Sequence, residues 1–112
     1  APDFPVSGPY TGRLVVQDQI FEARLELRTG SDARVGGRFF VRAPFELEGE
    51  VEGVLVDDLF RISVAYHGAG RGSCDGRVTG ILTVSERGRV LEGPVSVVDC
   101  QGSLPGRMDF RR

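Results

Sequence analysis

At 112 residues, with 40% hydrophobic and 27% charged side chains, the chain is sized for one domain with its own core and has a globular composition. A formal net charge of −2 argues against a general nucleic-acid or anionic-membrane binder. No apolar run approaches the roughly 20 residues of a transmembrane helix, so no transmembrane segment is expected.

Ala1 to Pro9 contains three prolines and reads as an extended N-terminal arm, leaving residues 10–112 as a single domain. A start at Ala1-Pro2-Asp3 fits a mature exported chain whose signal peptide has been removed. Eight strands follow, at about 10–17, 20–28, 35–42, 45–56, 59–67, 74–84, 89–98 and 102–110. No long segment spaces its apolar residues at i, i+3, i+4, and turn residues recur every 8–12 positions or so.

The first hairpin is expected to turn at Asp18-Gln19, opposing Leu14 with Ala23, Val16 with Phe21 and Gly12 with Leu25. Residues Phe45 to Glu52 then read F-E-L-E-G-E-V-E, an alternation that puts Glu46, Glu48, Glu50 and Glu52 on one side of a strand. A turn at Ala43-Pro44-Phe45 opposes Val41 with Leu47, Phe39 with Gly49 and Gly37 with Val51 inside, and Arg42 with Glu46 and Arg38 with Glu50 outside. A turn at Asp57-Asp58 opposes Leu55 with Phe60, Gly53 with Ile62, Val51 with Val64 and Gly49 with Tyr66. A one-residue slip would turn every one of these side chains to the other face.

The closing strands give two registers. A loop at Glu86-Arg87-Gly88, with Gly88 left-handed, places Cys74 across from Cys100. Apolar parity, with Val78, Leu82 and Val84 facing Leu91, Val95 and Val97, prefers a register one residue away. A bulge near Gly93-Pro94 would reconcile the two. Leu104, Met108 and Phe110 supply the last inward face. The expectation is an all-β fold, an antiparallel up-and-down barrel of about eight strands, with a β-sandwich of similar size as the alternative.

The run C-D-G-R-V-T-G-I-L-T-V from Cys74, followed by R-V-L-E-G-P-V-S-V-V-D-C-Q-G-S-L-P-G-R-M-D-F, resembles small secreted bacterial β-barrel domains of calycin-like (lipocalin- or avidin-like) type. The resemblance implies an exported, disulfide-containing eight-stranded barrel and carries over no catalytic or binding residue. The Gly-x-Trp motif of lipocalins is absent, as the chain has no Trp.

Cys74 and Cys100 read as a structural disulfide suited to an oxidising compartment, periplasmic or extracellular. A loop of that length would stabilise by about 3–4 kcal/mol in the chain-entropy model. Without a CxxC, and with one distant His, they do not read as a metal or redox pair. The four glutamates do not converge as calcium ligands and read as a solvated face countered by Arg38 and Arg42. His67 is expected beside Glu48, a pair with the makings of a pH sensor. The Gly68–Ser73 run precedes a strand rather than a helix, so it fails as a phosphate cradle. No serine elbow or acid–base pair emerges, and no catalytic residue, cofactor or metal is assigned.

Val54, Val56 and Leu59 point outward together beside Arg61, with Val15, Ile20 and Phe40 outward elsewhere. A contiguous apolar patch of this kind marks a partner surface. The leading expectation is therefore a non-catalytic exported protein acting through protein–protein contacts, an accessory or structural subunit of a bacterial envelope or membrane-associated complex. Its contact would be formed by Val54, Val56, Leu59 and Arg61, with Glu46, Glu48, Glu50 and Glu52 as polar rim. The alternative is a carrier of a small hydrophobic ligand, using room left inside by Gly12, Gly37, Gly49 and Gly53.

Overall fold

Eight antiparallel strands run in chain order around a closed barrel in a computed structural model that describes residues 6–30, 32–43, 46–67, 75–100 and 102–112. They are β1 (Gly8–Val16), β2 (Gln19–Thr29), β3 (Arg34–Ala43), β4 (Leu47–Val56), β5 (Leu59–Tyr66), β6 (Gly76–Ser85), β7 (Val90–Asp99) and β8 (Gly102–Arg111). The last strand closes on the first from Thr11↔Arg111 to Val16↔Gly106. The barrel, not the sandwich, is the architecture.

The registers of β3–β4 and β4–β5 are those set by alternation, including Phe39↔Gly49, Val51↔Val64 and Leu55↔Phe60. The first hairpin differs. It turns at Gln17-Asp18, with Gln17 at φ 53°, and pairs Gly12 with Ala23 and Leu14 with Phe21. This is a two-residue shift from the expected register, so every side chain keeps its face. The observed choice sets two small residues, Gly12 and Ala23, side by side where β8 presses closest. A Cβ on Gly12 would collide with the carbonyl of Asp109.

Between β6 and β7 the ladder takes the apolar register, with Val78↔Val97 and Val84↔Leu91. Pairing lapses between Gly80↔Val95 and Thr83↔Glu92, where Pro94 has no N–H to donate, and then resumes at the same offset. The expected bulge at Gly93-Pro94 is thus a gap without a register shift. The connecting turn holds Glu86, Arg87 and Gly88 all at positive φ (51°, 61° and 85°). An irregularity does occur between β2 and β3, at Glu22/Ala23.

One end of the barrel is sealed. It holds the β2–β3, β4–β5 and β6–β7 turns and both ends of the described chain. Val6 and Tyr10 are fully buried there, so the chain is already packed before β1 begins at Gly8, inside the segment expected to be an arm. The Val6 N–H donates to Thr29 Oγ1 at 3.0 Å, and that hydroxyl donates to the Val6 carbonyl at 2.8 Å. The Tyr10 hydroxyl donates to the Gly88 carbonyl. The Arg112 guanidinium lies 5.5 Å from the Tyr10 ring centre and donates to the Ser7 carbonyl. Beneath this seal Phe60, Leu82, Leu91, Met108 and Phe110 fill the lumen, and no polar or charged residue is buried among the described residues.

The outer wall is charged along its strands, for example at Arg24, Glu26, Arg38, Glu50, Arg77 and Arg107. An apolar interior inside a charged wall is the reverse of a lipid-facing barrel. No helix among the described residues is long and apolar enough to cross a membrane.

Candidate functional site

Among the described residues the opposite end of the barrel is open. The lumen there widens into a recess of about 510 Å³ that meets solvent at its mouth. Its wall is made by inward positions of every strand. Leu14 and Val16 come from β1, Phe21 from β2, Phe39 and Val41 from β3, and Leu47 from β4. Tyr66, Val78, Val97 and Leu104 complete the ring on β5 to β8. Gln17, Asp18 and Gln19 form the rim at the first hairpin, and Asp99 enters from the end of β7.

The glycines expected to leave room do not provide it. Phe60 occupies the space beside Gly53, and the neighbouring backbone of β2 closes over Gly37. The room comes from the mouth end, and Gly76 contributes. Tyr66 pairs with Gly76 across β5–β6, and its ring lies where a Gly76 side chain would stand. The ring therefore rests against the wall, which is the use of an aromatic over a bare strand glycine.

Among the described residues, Tyr66 and Asp99 are the polar groups of the wall inside the rim. Burial raises the Tyr66 pKa, and the Asp99 carboxylate raises it further, so the phenol stays neutral and able to donate a hydrogen bond. No His, Cys or Ser lines this recess among the described residues. No group of three or more His, Cys, Asp and Glu gathers as metal ligands among them either.

The residues singled out by sequence lie elsewhere, on the outer wall. Glu46, Glu48, Glu50 and Glu52 are all exposed on one side. Arg38 pairs with Glu50 across the ladder, but its guanidinium reaches the diagonal Glu48 instead, at 3.1 Å. The same guanidinium lies 5.7 Å from the Phe40 ring centre, and Phe40, on this outer face, is half-buried. His67 shares a shallow outer groove with Glu46 and Glu48, yet its ion-pair partner is Asp75, at Nδ1–Oδ1 3.3 Å. Both partners are highly exposed, so the pair is a solvated surface contact. Asp57-Asp58 is a tight turn, with Asp57 at φ 55°.

Val54, Val56 and Leu59 are 41%, 50% and 39% exposed. Val56 faces Leu59 and Val54 faces Arg61 across β4–β5. Ile81, on β6 opposite Arg61, joins them at 48% exposed. Sequence reasoning missed Ile81 because β5–β6 pairing was not set. It missed Asp99 because the predicted strand stopped at residue 98; extending the alternation of Val95 and Val97 by one step turns Asp99 inward. Cys100 is exposed in the turn after β7 and is not a free thiol. Cys74 and the Gly68–Ser73 run lie outside the described residues.

The two tyrosines make alkaline stability a direct probe of both barrel ends. Tyr10 is also raised above its ordinary value of 10.0, by burial, with Arg112 lowering it in part. A raised phenol holds its proton longer in the folded state than in the unfolded chain. Stability from this source is thus fully present below about pH 10 and is lost as pH rises through the folded values. The chain has no Lys and no Trp, so titration followed at 295 nm reports these two side chains. Both should ionise above pH 10, with the urea midpoint falling over the same range; ionisation of either at or below 10 in folded protein contradicts the burial account.

Compared with family models, curated proteins and solved structures, the chain matches none of them.

Proposed function

We propose that the protein is a non-catalytic carrier that binds a small, largely apolar ligand in the open end of its barrel. The observation that supports this is the recess of about 510 Å³, walled by Leu14, Phe21, Phe39, Leu47 and Val97 and bearing few polar groups. That volume and composition are those of small-molecule sites, and the closed eight-stranded wall needs no rearrangement to present them. Apolar contact supplies the affinity, at about 25 cal/mol per Å² removed from water, and the polar groups at the mouth orient the ligand. A neutral naphthylamine dye should show saturable fluorescence enhancement with the native protein. Val97→Trp, which fills the mouth, should weaken it by about tenfold or more. Absence of saturation, or an unchanged Val97→Trp, removes the reading.

A second reading keeps protein–protein contact, as an accessory subunit of an envelope complex. The clustering of Val54, Val56, Leu59 and Ile81 around Arg61 favours it. Here the glutamates at 46, 48, 50 and 52 would form the polar rim. Aspartate at both Val56 and Leu59 should abolish co-purification of a stoichiometric partner from the native envelope fraction while leaving dye binding intact. Assembly that survives the double substitution sinks this surface assignment.

Export to a periplasmic or extracellular compartment fits either reading and rests on a Cys74–Cys100 disulfide, the one pairing two cysteines allow within the chain. Thiol titration of the unfolded, unreduced protein should find no free thiol, and reduction should lower stability by about 3–4 kcal/mol. Two titratable thiols would overturn the compartment assignment.

A further inference from the structure

We infer that the outward tip beside the β4–β5 turn is a two-fold contact with a second copy of this chain. This takes the patch of the second reading, rests on its being a contact surface and names what covers it; the carrier reading stands apart from it. Val54, Val56, Leu59 and Ile81 are exposed around Arg61. Thr83, which pairs with Leu59 across β5–β6, extends the patch as an exposed, uncharged neighbour. Elsewhere the outer wall is charged, and its charges answer one another within the sheet, Arg24 with Glu26 and Arg38 with Glu48.

The charges at the tip are not answered in this way. Among the described residues, the exposed side chains of Asp57, Asp58 and Arg61 enter no ion pair. Glu52 lies diagonally across β4–β5 from Arg61, the relation in which Arg38 reaches Glu48 across β3–β4, yet that pair is not made. Entering β5, the outward order is acid at the Asp57-Asp58 turn, apolar at Leu59 and base at Arg61. Leu59 and Arg61 stand about 6–7 Å apart by strand rise. The order is self-complementary when a second copy lies antiparallel. A two-fold axis at Leu59 sets apolar on apolar and brings each Arg61 to the acidic turn of the other copy. Val56, opposite Leu59, is covered in the same row. A parallel placement would set acid on acid and base on base. An unrelated partner would have to supply both signs in this order, whereas a second copy already carries them. Four apolar side chains and a turn fall short of the roughly 800 Å² per partner of a standard interface, so the pair is weak and concentration-dependent.

The test is sedimentation equilibrium of the purified protein alone. Monomer and dimer should exchange with a dissociation constant on the order of 10–100 µM, weakening as salt is added. Leu59→Asp should weaken association by about a hundredfold or more. Arg61→Asp and Asp58→Arg should each weaken it by about tenfold, by setting like charges together, and the chain carrying both should recover most of the native association. A merely damaged fold would not show that recovery. If Asp58→Arg does not fold, as judged by circular dichroism, Arg61→Gln serves in its place and should remove most of the salt dependence. Monomer alone at concentrations up to about 1 mM, a dimer indifferent to Leu59→Asp, or charge variants in folded protein without effect, overturns the second copy as occupant. Co-purification from the envelope fraction then still decides whether the tip is a contact surface at all, and dye binding decides the carrier reading.

Discussion

Everything in this molecule depends on the seam at which β8 pairs with β1. An eight-stranded meander left open would expose the N–H and C=O groups of two edges and leave its apolar face without a second layer. Closure gives each strand two neighbours and turns one face of the sheet into an interior. Alternation then assigns every side chain, which is why one period runs from Leu14 through Phe39, Val51 and Val64 to Met108 and Phe110, all buried on the same side. The tight approach of β1 to β8 demands Gly12, since any side chain there would meet the Asp109 carbonyl. The seam and the core are therefore specified by the same residues.

The two ends of this cylinder are treated differently. At the sealed end, side chains tie to backbone groups that the sheet leaves over: Tyr10 to Gly88, Thr29 to Val6, Arg112 to Ser7. These contacts form long-range links around a large buried phenol. At the other end the inward row runs out in residues of mixed character, Tyr66, Val97, Asp99 and Leu104, and the rim is the polar turn at Gln17 to Gln19. A barrel of this size fills itself with its own side chains where large residues face one another. It opens here because Tyr66 lies flat on Gly76 and the ring beside it is built largely of aliphatic side chains.

Period-two patterning made the strands, their order and two registers legible, because a slip of one residue would carry Val51 or Phe60 into water. The same signal is blind to slips of two, and the first hairpin moved by that step, with no side chain changing face. Alternation alone does not distinguish the two registers; the observed one pairs Gly12 with Ala23 and Leu14 with Phe21. The β6–β7 ambiguity arose from weighing a cysteine pairing against apolar parity, and parity prevailed, as Val78 and Val97 have more to lose from exposure. The outward tip at Val54, Val56 and Leu59 was readable strand by strand. The recess was not, since it is a property of eight inward rows at one height and not of any single segment. The expected role for glycines failed for the same reason: their empty side is taken up by rings and neighbouring backbone.

The inner recess and the outer apolar tip do not compete for the same part of the barrel. Val56 and Leu59 flank the Asp57-Asp58 turn and so belong to the sealed end, whereas Tyr66, Asp99 and the Gln17–Gln19 rim surround the open one. A partner resting on the tip would leave the mouth clear, and a ligand in the mouth would change nothing at the tip unless the barrel deformed. Deformation is opposed by closure of the strand ring and by the collisions that any shift at Gly12 or Gly37 would bring. Contact at one end and uptake at the other can therefore coexist in one rigid body. Coupling between them would require a bistable element, and the ladder lapse beside Pro94 is the weakest stretch of the β6–β7 pair in which to look for one.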